Sequence, residues 1–337
     1  VRILTVREQT EQFEQMILSP LACHAADAVR IREEAPCPYR TAFQRDRDRI
    51  LHSSSFRRLK RKTQVFLSPR GDHYRTRLTH TLEVSQIART MARALRMNED
   101  LTEAIALGHD LGHSPFGHAG ETALNDICPY GYKHYIQSVR VVHYIEKDGR
   151  GLNLTQQVKN GIACHTNRIA ATREGNLVRL ADRIAYINHD IDDAIRGGIL
   201  REDDLPKDCT AVLGHSKSAR ITAMISSVIA HGEAMPDEIP DMMPEIRTAH
   251  DALHAFLYAN VYSNSAAKSE DSKAKELIRR LYTYYRQHPE KMPEEYQAIA
   301  RRFAPERAVC DYIAGMSDDY AIRVYEYLFV PRSWDVK

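Results

Sequence analysis

Leu101-Thr-Glu-Ala-Ile-Ala-Leu-Gly-His-Asp-Leu111 is the stretch that decides the fold. Leu101, Ala104, Leu107 and Leu111 recur at intervals of three and four, the period of a helix with one buried face. Upstream, Val84, Ile87, Met91 and Leu95 repeat that spacing within Leu78 to Leu95. Alternating β-branched runs are scarce along the chain, so the expectation is an all-α protein. Gly149-Arg150-Gly151 and Ser68-Pro69-Arg70-Gly71-Asp72 read as turns, and Gly197-Gly198 as the stop of a helix beginning near Val178. Two stretches read as surface connections: Ala234 to Pro244, with three prolines, and the small polar run Ser263 to Ser272. Lys273 to Tyr285 is amphipathic, with Leu277, Ile278, Leu281 and Tyr284 on one side, and suits either core packing or a subunit contact.

The composition fits this picture. In 337 residues, 43% hydrophobic and 27% charged, there is enough apolar content for one extended core, which excludes a disordered or fibrous chain. One helical body over 1–337 is expected, with a core over about 56–200 between N-terminal helices in 1–55 and a C-terminal helical region in 201–337. No run of about eighteen apolar residues suggests a membrane span. Six cysteines without a C-x-x-C pair argue against a disulfide framework, and a cytoplasmic protein is expected. The net charge of +2 excludes a generally basic coat for nucleic acid. Nine Lys and Arg nevertheless crowd between Arg40 and Lys62 against Asp46 and Asp48, reading either as an anion-attracting patch or as an ion-paired helix face.

Among sixteen histidines, spacing singles out a few. His109-Asp110 closes the apolar run, His80 lies about one helix earlier and Asp182 much later. Consecutive helical donors diverge by about 100°, so one cation between packed helices meets both when neighbouring helices close the site. His80 and Asp182 are the candidates for that closure. Two imidazoles with two carboxylates suit a borderline or hard divalent ion: Mn²⁺ or Mg²⁺, with Fe²⁺, Co²⁺ and Ni²⁺ also compatible. Taken singly, each of these residues has an ordinary structural reading as a helix cap or a backbone-bonded imidazole.

Their context makes the chain recognisable. Arg77-Leu-Thr-His80-Thr, His109-Asp110-Leu-Gly-His113-Ser-Pro-Phe-Gly-His118-Ala-Gly-Glu121 and Ala181-Asp182-Arg-Ile-Ala-Tyr186 occur in this order. With Asp46-Arg-Asp-Arg-Ile50, Phe56-Arg-Arg-Leu-Lys60-Arg-Lys-Thr-Gln64-Val and His189-Asp190-Ile-Asp-Asp193, the sequence resembles the deoxyguanosinetriphosphate triphosphohydrolase branch of the HD-domain superfamily over roughly residues 18–200. The resemblance implies a helical HD core and the cleavage of a dNTP into deoxynucleoside and inorganic triphosphate. It places the metal on His80, His109, Asp110 and Asp182, and the catalytic pair at His118 and Glu121. It also puts His113 and His134 near the phosphates, Arg77 on the α-phosphate, Tyr186 on the sugar face, Asp190 on the 3′-hydroxyl and Gln64 near the sugar or base. A homo-oligomer, tetramer or hexamer, is implied, and some members of the family need a nucleotide activator.

The residues suit these roles. His118 is the best general acid, with Glu121 three residues on expected to hydrogen-bond it directly and raise its pKa. Asp182, Tyr186 and Asp190 follow at four-residue steps, so one helix presents all three to one side. A tyrosine against C2′ leaves no room for a ribose 2′-hydroxyl. His143, His165, His215 and His231 lack comparable spacing and read as core or surface. No Walker loop, Rossmann fingerprint or Ser/His/Asp order is present. Two other readings stand beside the first: an HD phosphohydrolase for monophosphates, cyclic nucleotides or alarmones, and a dNTP-responsive or single-stranded nucleic-acid binder using the Arg40 to Lys62 patch.

Overall fold

The computed structural model describes residues 3–64, 75–261 and 265–331, without the side chains of 265–269. The expected turn Ser68 to Asp72 lies outside these residues. Among them the regular structure is helical, apart from one isolated antiparallel bridge between Thr63 and Thr76. The N-terminal helices are α1 (Val6–Ile17), α2 (Ala42–Leu51) and α3 (Ser54–Arg58). There follow α4 (Arg77–Ala94), α5 (Glu99–Gly108), α6 (Gly117–Ile127), α7 (His134–Arg140), the single turn α8 (Glu146–Gly149), α9 (Gln156–Cys164) and α10 (Arg173–Arg196). The C-terminal region contains α11 (Lys207–Leu213), α12 (Lys217–Ala234), α13 (Pro244–Asn260), α14 (Ser265–Gln287), α15 (Glu294–Arg302), α16 (Pro305–Ala314) and α17 (Asp318–Phe329).

The long helix α10 is the axis of the molecule. It packs against α4, α5, α9 and α12, and its apolar residues Leu177, Leu180, Ile184, Ile187 and Ile191 are fully buried. A helix covered on most sides carries apolar residues round most of its circumference, as this one does. Thr172 begins it by accepting the Gly175 amide, which places its start a turn before Val178. Gly197 caps it and Gly198, at φ 69°, turns the chain away. α4 and α5 pack on each other beside it, and α2 covers the other side of α5.

Residues 235–243 form the connection between α12 and α13, as the prolines suggest. The second connection read from sequence is corrected: α14 already runs from Ser265, so Ser265 to Ser272 is helical. Small polar residues lack the apolar period that marks a helix, although nothing in them breaks one. Farther along α14, Ile278 and Leu281 are fully buried, and the helix packs on α6 and α16, which decides for core packing of that face.

In the basic stretch Arg40 to Lys62, four of the nine cations are paired with carboxylates. Arg40 meets Asp48 at 2.8 Å, Arg45 and Arg49 meet Glu34 at 3.4 and 2.7 Å, and Arg47 meets Asp100 at 3.1 Å. Lys62 is buried. Asp46, fully buried, accepts from Arg30 at 2.6 Å and from the Thr155 amide at 2.7 Å, tying the N-terminal segment to the start of α9.

Candidate active site

Three helices deliver the HD residues to one place. Thr76 caps α4, fixing Arg77 in its first turn and His80 one turn in. His109 caps the C-terminus of α5, and Asp110 follows where the chain leaves the helix. That chain passes so close to α7 that a Cβ on Gly112 would lie 2.1 Å from the Ser138 backbone nitrogen, so only glycine fits. Asp182 comes from the middle of α10.

The four side chains converge. His80 Nε2 lies 3.1 Å from Asp182 Oδ1 and 3.9 Å from Asp110 Oδ2. His109 Nε2 lies 3.4 Å from Asp110 Oδ1 and 3.8 Å from Asp182 Oδ1. The chemistry of these atoms fits a cation. His109 Nδ1 donates to the Ala106 carbonyl at 2.6 Å, which puts the proton on that nitrogen and leaves a lone pair on Nε2. His109 Nε2 is buried and has no hydrogen-bond partner in the protein, a state that a metal ion would satisfy.

His80 is prepared from behind. Its Nδ1 is 3.2 Å from His189 Nδ1, and His189 Nε2 is 2.8 Å from Glu83 Oε2. A carboxylate beside His189 Nε2 favours the proton there, so that His189 Nδ1 is able to accept from His80; in that tautomer His80 Nε2, 3.1 Å from Asp182 Oδ1, would turn its lone pair to a cation held with the carboxylates. Burial, with His80 nearby, lowers the His189 pKa to about 4 despite Glu83. Burial opposes the charge of Glu83, but His189, Arg75 and Lys217 outweigh it and hold its pKa at about 2. At Asp182, burial is likewise overcome by His80 and His109, which hold the pKa at about 2.

Beside this cluster lies a second group of imidazoles. His113 Nε2 contacts Asp110 Oδ1 at 3.1 Å, and its ring stacks on His134 with centroids 4.0 Å apart. Burial and then Arg77 push the His113 pKa well down. His134 Nε2 is 3.3 Å from His165 Nε2. His165 was read from sequence as core or surface; it is buried, but it sits with His109 and Asp182 in a group able to hold a metal ion. It caps α9 as His109 caps α5, with Nδ1 bonded to the carbonyl three residues back, Ile162, at 2.7 Å. An imidazole directly after an apolar helix was the signal that would have found it. Burial, with His109 and His134 near, lowers its pKa to about 4.

The catalytic-pair expectation needs two corrections. Glu121 does not hydrogen-bond His118: its carboxylate accepts from the His134 amide at 3.2 Å and lies 2.9 Å from His134 Nδ1. α7 begins at His134 without another side-chain cap, and its open amide draws the carboxylate across from α6. The His118 pKa is lowered, not raised, because surrounding protein and Arg77 outweigh Glu121. The ring itself stays open to solvent, with Nε2 3.5 Å from the Tyr186 hydroxyl.

Arg77 is buried, donating to Asp110 Oδ2 at 2.9 Å and to the Gln64 carbonyl at 3.0 Å. It is the backbone of Gln64 that meets Arg77; the side-chain oxygen is buried without a partner. Asp190 is fully buried with Tyr186 as a side-chain hydrogen-bond neighbour, and burial followed by Asp193 raises its pKa well above normal. α6 begins at a left-handed elbow, with Phe116 at φ 63° and Gly117 at φ 53°. For phenylalanine such a conformation costs about 1–3 kcal/mol and persists only where its surroundings impose it.

Similarity to known proteins agrees with this geometry. The HD domain family matches residues 77–187, and the phosphohydrolase-associated domain family matches residues 240–327. A deoxyguanosinetriphosphate triphosphohydrolase-like protein of Caldanaerobacter subterraneus subsp. tengcongensis is 54% identical over 333 residues, covering 98% of each chain. Proteins of the same description from Desulfatibacillum aliphaticivorans and Clostridium perfringens (strain 13 / Type A) are 49% and 48% identical, over 97% and 98% of this chain and 99% of theirs. By site and by sequence alike, the chain belongs to the deoxyguanosinetriphosphate triphosphohydrolase-like family of HD-domain proteins.

Proposed function

We propose that the protein hydrolyses deoxynucleoside triphosphates, dGTP or several dNTPs, to deoxynucleoside and inorganic triphosphate, with a divalent metal held by His80, His109, Asp110 and Asp182. The carrying observation is the buried, unpartnered His109 Nε2 facing two carboxylates, on the motif that also supplies His118. Mn²⁺ or Mg²⁺ fits a set of two nitrogens and two carboxylates. When bound, such an ion supplies Lewis acidity towards a phosphate oxygen.

The remaining steps belong to the side chains. Arg77, fixed by Asp110 and the Gln64 carbonyl, offers its charge to the α-phosphate. His113 and His134 line the phosphate side, with Glu121 orienting His134. As water bonds to the α-phosphorus and the bond to the 5′-oxygen breaks, His118 Nε2 gives a proton to the departing oxygen; its ring is open to substrate, and the negative charge of the bound triphosphate favours the protonated ring that the surrounding protein and Arg77 disfavour in the free site. Tyr186 packs against C2′ and excludes a 2′-hydroxyl. Asp190, fully buried, accepts the 3′-hydroxyl, and Gln64, whose side-chain oxygen is buried without a partner, borders the sugar or base. The family resemblance extends the proposal to a cytoplasmic homo-oligomer, tetramer or hexamer, that responds to a nucleotide activator. A single-stranded nucleic-acid role for the Arg40 to Lys62 stretch is less favoured, because four of its arginines are engaged by carboxylates.

The test is to incubate the protein with each dNTP and with GTP, in Mn²⁺ or Mg²⁺, and resolve the products by ion exchange. Deoxynucleoside plus triphosphate, lost in His118→Ala and Asp110→Ala, is the expected result. Turnover only in dNTP mixtures reveals the activator. Release of monophosphate or diphosphate, or no turnover under any condition, rejects the assignment.

A further inference from the structure

Asp318, the first residue of α17, belongs to the C-terminal associated segment but makes its contacts at the HD site. The helix itself is capped by Ser317, whose side chain accepts the Tyr320 amide, so the Asp318 carboxylate is free for other partners. Its Oδ1 accepts from the Phe116 amide at 3.0 Å. Its Oδ2 accepts from the Thr63 amide at 2.9 Å and from the Thr63 hydroxyl. One carboxylate thus holds two chain segments that are far apart in sequence.

Both segments lead directly to candidate catalytic groups. Phe116 is the left-handed elbow from which α6 starts, and His118 stands two residues beyond it. α6 has no side-chain cap at its N-terminus; the elbow is held by the Asp318 bond to the Phe116 amide, and by the Ser114 hydroxyl, which donates to the Gly117 carbonyl at 3.3 Å from within the same segment. Thr63 precedes Gln64, whose carbonyl accepts from Arg77. The two segments also touch: a Cβ on Gly117 would lie 3.5 Å from both Arg77 Nη2 and the Gln64 carbonyl oxygen. Lys62 repeats the three-way link, its Nζ donating to the His113 carbonyl and, at 2.7 Å, to the Ala314 carbonyl of α16.

We propose that Asp318 is a positioning residue that fixes the Phe116 elbow and the Thr63–Gln64 segment, setting the placement of His118 and Arg77 and making the associated segment part of the working active site. This rests on the roles given to His118 and Arg77 above. Rate is sensitive to such placement, because displacing a reacting group by about 1 Å costs roughly 100-fold. An aspartate is needed because every partner is a donor; asparagine would turn an amide group towards one of them.

The experiment compares full-length wild type, Asp318→Asn, Asp318→Glu, Asp319→Asn and His118→Ala for kcat and KM on a dNTP, bound metal and melting temperature. Asp318→Asn is expected to lower kcat by about 10- to 100-fold with KM within about threefold. Bound metal and melting temperature should stay near wild type, Asp318→Glu should recover part of the rate, and the exposed neighbour Asp319→Asn should behave as wild type. Should Asp318→Asn not fold, Thr63→Val removes the hydroxyl contact alone and is expected to lower kcat severalfold. An unchanged kcat in Asp318→Asn, with His118→Ala inactive, overturns the positioning role alone. A fall in kcat that merely follows lost metal or lost folding also overturns it, since that is a structural effect. An active His118→Ala overturns the functional reading and the inference together.

Discussion

His80 and His109 reach the same chemical state by different routes. His109 has its proton fixed by a carbonyl of its own helix, whereas His80 depends on His189 and Glu83. Removing a partner of this kind weakens metal binding by about 10- to 100-fold. His189→Leu and Glu83→Gln are therefore expected to raise the dissociation constant for Mn²⁺ by about that factor, read by titration calorimetry; unchanged affinity would reject the chain of contacts. Lys62 carries a different test. Burial and then Arg58 lower its pKa from 10.5 to about 7. The unfolded chain therefore binds the extra proton between these values, and the stability of the fold rises with pH through that window. Urea melts at pH 7 and pH 9 should show wild type gaining on Lys62→Met at the higher pH. Pattern in the sequence reached His80, His109, Asp110 and Asp182, which sit on strongly periodic helices or directly after one. It missed His165, and it mistook the partner of Glu121, because helical spacing describes one helix while that carboxylate is claimed by the start of another.

At the scale of elements, the site depends on close backbone approach as much as on donors. The turn after α5 touches α7 at Gly112, with no space for a methyl group. Gly112→Ala should displace His113 and Asp110, lowering stability by about 1–3 kcal/mol and reducing activity further than the stability loss explains. Denaturant melts and rate measurements on the same samples would check this. The helices were legible wherever one face is apolar, as in α4, α5 and α10. The early part of α14 was not, since its small polar residues carry no period and the helix simply continues through them.

At the scale of the molecule, the N-terminal, central and C-terminal regions are joined by charges at or beneath the surface. Asp46 ties Arg30 to Thr155, and Asp311 ties Arg140 to α16 at 2.5 Å. None of these partnerships is readable from sequence, since each joins residues more than a hundred positions apart or depends on where the chain returns. Metal binding should act on the whole fold. An ion that binds only the native state stabilises it by about 2.7 kcal/mol at a hundred times its dissociation constant. Chelator treatment is thus expected to lower the melting temperature, Mn²⁺ to restore it, and His109→Ala to abolish the response. Identical melting with and without chelator would contradict the site.

The steps of four from Asp182 to Tyr186 to Asp190 have a consequence for how this chain can change length. Each added residue advances a helix by about 100° and 1.5 Å. A single insertion between Asp182 and Asp190 would swing Asp190 round to another face, even with every side chain of the site retained. In the stretch 235–243 between α12 and α13, the same insertion would only lengthen a loop. Across relatives of differing length, gaps should therefore gather in such connections and spare the middle of α10.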